Sequence, residues 1–106
     1  MSQGFISKKV NAVPNAFALK NNYPNPFNPA TTIQYDIPID ADVLLVVYDI
    51  LGRHIKTLIN TSQTAGYKSI NWNGTNDQGQ TISAGVYFYH LQTIGYSEVR
   101  KMVLLK

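Results

Sequence analysis

Two histidines and six carboxylates are the residues of this 106-residue chain from which acid–base or metal chemistry could be built. His54 and His90 are far apart, and each stands in a strand-like run with no companion at metal-ligand spacing. They read as surface or edge histidines. Asp36, Asp40 and Asp42 flank a turn in "DIPIDAD"; carboxylates at that spacing could hold an ion, but they read first as solubilising turn residues. The oxygen-rich stretch "NWNGTNDQGQT" (71–81) has a single carboxylate, Asp77, and its spacing is not that of a calcium-binding EF-hand loop. Its glycines, Gly74 and Gly79, can supply positive φ, and Asn76 or Asp77 can close Asx-turns. No phosphate-binding loop, nucleophile elbow or HExxH motif is present. Cysteine is absent, which excludes disulfides and thiolate chemistry. The expectation is a chain with no catalytic residues, no metal and no cofactor, too small to enclose a large cleft.

The bulk properties exclude further classes. Hydrophobic residues make up 44% of the chain, enough for a core. The formal charge is +3, but the cations are scattered, with adjacent pairs only at Lys8-Lys9 and Arg100-Lys101. That is no nucleic-acid footprint. No apolar run reaches the ~20 residues of a membrane span. "MSQGFISKKV" lacks the apolar region of a signal peptide, so an export signal, if the protein is exported, lies upstream.

Residues 1–16 show no sustained periodicity and read as a linker or N-terminal arm; residues 17–106 read as one domain. Within it, "TTIQYDI" (31–37) alternates, with Ile33, Tyr35 and Ile37 on one face. "DVLLVVYDI" (42–50) is apolar on both faces. "RHIKTLIN" (53–60), "GYKSINW" (66–72), "GVYFYHLQT" (85–93) and "YSEVRKMVLLK" (96–106) follow, and "FALK" (17–20) adds a short strand. No stretch has helical periodicity. The fold class is therefore all-β, an immunoglobulin-like β-sandwich of about seven antiparallel strands. "SAGVYFY" (83–89) resembles the tyrosine corner of such sandwiches: Tyr87 would hydrogen-bond back across the corner, and Tyr89 would point into the core with Trp72.

"NNYPNPFNPATTIQY" (21–35) holds Pro24, Pro26 and Pro29, which rule out a helix or a central strand there. Such a loop is stiff, yet it carries two aromatics. Tyr23 and Phe27 are expected to pin it against one end of the sandwich, so that the linker leaves at a fixed angle.

Four segments in order, "FALKNNYPNPFNPATTIQYDIP", "VYDILGRHIKTL", "AGYKSINWNGTNDQGQTISAGVYFYHL" and "RKMVLLK", resemble the type A C-terminal sorting domain of the type IX secretion system. The resemblance covers roughly Val13 to Lys106. The immunoglobulin-like domain of flagellar hook-cap proteins shares a related pattern. The sorting-domain resemblance implies a non-catalytic tail that directs an exported cargo from the periplasm across the outer membrane. Its partners would be the outer-membrane secretion machinery and a surface sortase that removes the tail, upstream of the proline loop and within residues 1–20. The place of the mature cargo would be outside the cell or on its surface. By match to the family's motifs, recognition falls on Pro24, Asn25, Pro26 and Phe27, on Gly85, and on Lys101, Met102, Val103, Leu104, Leu105 and Lys106, with the two lysines at the ends of the last strand. An alternative class is a carbohydrate-binding or adhesion sandwich using Tyr48, Tyr67, Phe88 or Tyr96 as a stacking platform.

The chain departs from the family's alternation at Leu44 and Val46, where polar residues are usual. With Val43, Leu45, Val47, Tyr87, Tyr89 and Leu91 inward, Leu44, Val46, Tyr48, Val86 and Phe88 would form one outward apolar patch. A homodimer of the isolated fragment, the N-terminal arm (Phe5, Ile6, Val10) or the machinery would cover it.

Overall fold

Period-two alternation needs something to alternate against, and two sheets provide it. A computed structural model describes residues 12–105. Its strands are β1 (Ala18–Leu19), β2 (Thr31–Ile37), β3 (Ala41–Asp49), β4 (His54–Gln63), β5 (Gly66–Trp72), β6 (Gly85–Thr93) and β7 (Tyr96–Leu104). One sheet has the order β1-β2-β5, the other β4-β3-β6-β7, and every strand pair is antiparallel. This is the all-β sandwich of about seven strands that the alternation implies. Phe5, Ile6, Val10 and Lys106 lie outside the described residues.

The inward parity holds on β2, β3, β6 and β7; β4 departs from it, because register shifts against β3 let Ile55, Leu58 and Ile59 all pack on the core. Ile33, Tyr35 and Ile37 face Val43, Leu45, Val47, Tyr89 and Leu91 across the sandwich, all at most 1% exposed. Met102 and Leu104 extend this core onto β7. Tyr87 Oη donates to the Ser83 carbonyl at 2.7 Å, the backward bond of the corner. Tyr89 Oη donates to the Lys20 carbonyl at 2.7 Å and Tyr35 Oη to Gln63 Oε1 at 2.6 Å. Burial pushes both phenol pKa values up, so both stay protonated donors.

Two sequence expectations need correction here, and sequence reasoning missed one residue. Asp36 is no turn residue: it lies in β2, is buried, and its carboxylate sits 3.3 Å from Lys20 Nζ, so a paired charge occupies that site. The last strand stops at Leu104, and Lys101 stands within it rather than at an end. Lys68 points to the inner side of the edge strand β5, where its Nζ meets Thr64 Oγ1 at 3.3 Å. An inward lysine on an edge strand discourages pairing with a foreign strand.

Strand direction sorts the connections onto two ends. At the entry end lie the approach to β1 and the turns at 38–40, 64–65 and 94–95. Phe17 stacks on Tyr96 there, ring centroids 5.4 Å apart, and Pro14 is already buried. At the far end lie the 20–30 loop, the 50–53 turn, the 73–84 loop and the close of β7. The chain at β1 is tied to the other sheet by side chains: Arg100 Nε donates to the Leu19 carbonyl at 2.6 Å and Arg100 Nη1 to Asn21 Oδ1 at 3.2 Å.

Candidate functional site

The proline loop and the last strand meet at the far end. Phe27 forms a parallel bridge with Leu104: its N–H donates to the Val103 carbonyl at 2.9 Å, and the Leu105 N–H donates to the Phe27 carbonyl at 2.8 Å. Asn25 Oδ1 accepts from the Val103 N–H at 3.0 Å. The prolines deprive the loop of donors, and the Asn25 side chain and Phe27 backbone are spent on β7. The neck is closed by paired backbone bonds between Tyr23 and Thr32, and by Asn22 Nδ2 and Thr31 Oγ1, which both donate to the Pro24 carbonyl. Segments separated by 78 residues therefore form one hydrogen-bonded unit.

Phe27 anchors this unit. It is 1% exposed and its ring lies 5.7 Å from that of Trp72, which in turn meets Tyr87 edge-on at 6.2 Å. Trp72 Nε1 donates to the Thr75 carbonyl at 2.9 Å, so the indole is satisfied and holds the next loop. Gly85, paired with Leu104, completes the row. Its φ of 152° is one that an L side chain rarely adopts, which explains a glycine at the start of β6.

Tyr23 is not the second anchor. Its ring is 80% exposed, because only its backbone is held, in the bridge to Thr32. Nor does the loop set the angle of the linker, since the chain enters at the opposite end. The motif residues divide accordingly. Phe27, Met102 and Leu104 are buried and hold the shape; Pro24, Asn25, Pro26, Lys101 and Leu105 are exposed and form its surface, with Val103 between them and half-buried. Sequence reasoning missed Gly74. A Cβ there would stand 3.2 Å from the Pro29 carbonyl oxygen, and the φ is +73°. The Asn-Gly pair signals a turn but not which loop packs on it.

The histidines have partners, and the partners decide their chemistry. His54 Nε2 lies 2.7 Å from Asp77 Oδ2 and 3.3 Å from Thr57 Oγ1. Carboxylate and hydroxyl share one ring nitrogen, so the imidazole cannot relay a proton between them. Asp77 Oδ1 also accepts the Thr57 N–H at 3.0 Å, so this residue latches the 73–84 loop to β4 rather than closing an Asx-turn; Asn76 does that, accepting from the Gln78 and Gln80 amides. On the other strand pair, His90 Nε2 meets Ser97 Oγ at 2.6 Å while the Gln92 amide nitrogen lies 3.0 Å from Nδ1. Both ring nitrogens of His90 are thus engaged by neighbouring polar side chains. Among the described residues no three His, Asp or Glu side chains gather as metal ligands. Of the aromatics expected to face solvent, Tyr67 is open at 66% exposure, Tyr96 is taken by Phe17, and Tyr48 and Phe88 are half-buried neighbours.

The latch has a pH signature. The Thr57 amide, and after it His54, hold the Asp77 carboxyl below its ordinary range. A depressed folded-state pKa contributes stability above the unfolded value and loses it as pH falls through the folded one. Asp77→Asn is expected to lower Tm at neutral pH, and the gap to wild type to close as the pH drops below about 4. Thermal melts across that range check this; a gap independent of pH would rule the latch out.

The model of the FlgD Ig-like domain family matches residues 27–95. No curated protein matches the chain. Among solved structures, dimeric latent PorU from Porphyromonas gingivalis is 22% identical over 89% of this chain and 10% of its own, with a TM-score of 0.69. FlgD from P. aeruginosa is 20% identical over 74% of this chain and 70% of its own, TM-score 0.56. PorZ, a surface component of the type IX secretion system of P. gingivalis, is 18% identical over 94% of this chain and 12% of its own, TM-score 0.56. This chain thus spans about one tenth of the PorU and PorZ chains. At these identities the likeness is one of fold.

Proposed function

This chain belongs to the FlgD Ig-like domain family, and from that premise we propose that it works as a C-terminal sorting domain of the type IX secretion system. In this reading it is a non-catalytic tail carried by an exported protein. Its partners are the outer-membrane machinery and a surface sortase that removes it, and its cargo ends outside the cell or on its surface. The observation that carries the reading is the bond between the proline loop and the last strand. Two motifs of the sorting-domain pattern form one rigid surface at the end opposite the chain's entry. A cargo attached at the entry end would leave that surface free. Exposed Tyr23, Pro24, Asn25, Pro26, Lys101 and Leu105 are the groups a receptor would touch.

The test is export. Residues 13–106 are fused to a periplasm-targeted reporter in a type IX-competent host, and the reporter is expected at the surface. Deleting Met102 to Lys106 would remove two core side chains, so loss of export there could be unfolding alone. Leu105→Asp together with Lys101→Glu changes only exposed positions and is expected to reduce export at least tenfold with the melt unchanged. A folded fusion that stays in the periplasm sinks the proposal.

A second reading, an assembly module like that of the hook cap, is favoured by the family match itself. It predicts a folded fusion that is not exported, so the same assay separates the two.

A further inference from the structure

The outer face of the β4-β3-β6-β7 sheet has a row structure that strand register alone defines. His54, Tyr48, Phe88 and Lys101 stand side by side across the four strands. The next row is Thr57, Val46, His90 and Val99, and the one after it Asn60, Leu44, Gln92 and Ser97; Val86 and Val103 form a half-row beyond the aromatics. The face therefore grades from apolar to polar along the strands. The other sheet lies on the opposite side, and no described strand covers this one. Val46 is only 5% exposed, sunk between its neighbours, whereas Leu44, Tyr48, Val86 and Phe88 are half-buried and Val99 is 52% exposed.

We propose that this face is a two-fold interface with a second copy of the chain, with the axis parallel to the strands and passing between β3 and β6. Sheets that pack face to face keep their strands within about 30° of alignment. With that axis Tyr48 lies over Phe88 of the second copy and Phe88 over its Tyr48, an isologous contact. Lys101 falls toward the β4 edge of the copy, and the two lysines end on opposite sides. An axis along the aromatic row would instead superpose Lys101 on itself, so like charge selects between the two. The area sets the strength. Four strands about 4.8 Å apart and four rows about 6.8 Å apart give roughly 500 Å² per copy. The total of about 1,000 Å² is at the lower limit for a specific interface, so the dimer is weak and concentration-dependent. The face shares Lys101 and Val103 with the far-end surface, but its readout is the oligomeric state of the chain, which stands or falls apart from export.

Sedimentation and light scattering of the full chain from about 10 μM to 1 mM, a range that brackets weak association, should show a monomer–dimer equilibrium. Tyr48→Asp and Phe88→Lys should each weaken it at least tenfold, and an equimolar mixture of the two should recover a dimer, because position 48 of one copy meets position 88 of the other. Val99→Lys changes an exposed residue on the same face and should weaken the dimer in the same way, so it serves if either ring variant fails to fold. A wild type that stays monomeric overturns the proposal. So does a dimer indifferent to Val99→Lys, a mixture that stays monomeric, or a monomer that dimerises only after removal of residues 1–11, which would assign the face to the arm.

Discussion

Phe27→Ala is expected to lower the stability of the domain by about 3–5 kcal/mol, the usual cost of emptying a buried phenylalanine site. The ring is 1% exposed and packs on Trp72, which itself supports Tyr87, so its loss leaves a cavity beneath three elements at once. Little can collapse into that space. The loop is held to β7 on one side by backbone bonds and closed at its neck on the other. For a domain of this size a loss of about 3 kcal/mol lowers Tm by roughly 15 °C. Urea titration and thermal melts measure it. Because total stability is on the order of 5–15 kcal/mol, the variant should fold but with the far end loosened, and hydrogen exchange at Val103 and Leu105 should accelerate more than at Leu45. A loss below about 1 kcal/mol, the range of exposed substitutions, would mean that the loop is not pinned by this ring.

Gly74→Ala is expected to cost about 2–4 kcal/mol, the sum of a left-handed backbone penalty and an overpacked contact. The φ of +73° supplies the first part, and the Pro29 carbonyl, 3.2 Å from the added Cβ, supplies the second. Backbone cannot swing aside as a side-chain tip would. Leu104 stands next nearest, at 3.6 Å, so the strain reaches the last strand. Gly79→Ala separates the parts: its φ is +82° but nothing lies within 4 Å, so it should lose only the backbone share. Equal losses at the two positions would show that the loop does not press on Gly74.

Alternation by itself determined the strands of this protein and, except on the bulged β4, which side of each faces inward. The parity read from "TTIQYDI" and "GVYFYHL" places Ile33, Tyr35, Tyr87 and Tyr89 where they are buried. The tyrosine corner was legible for the same reason: its hydrogen bond spans four residues, from Tyr87 to Ser83, and local spacing encodes local geometry. Lys68 could have been read too, as a charge in phase with Ile70 and Trp72 on an edge strand. Which segments meet is another matter. The bonds from the proline loop to Val103 join positions 78 apart, and nothing in either segment's pattern names the other. A ring beside a proline reads as an anchor whether it is Phe27 or Tyr23; only the closed sandwich has room for one, and it leaves the other in water. Asp77 could serve its own turn or a distant strand, and the proximity of β4 decided for the strand. Period-two patterning is a property of one strand against one layer, whereas loop docking depends on how the two sheets close. That closure is a property of the folded chain as a whole.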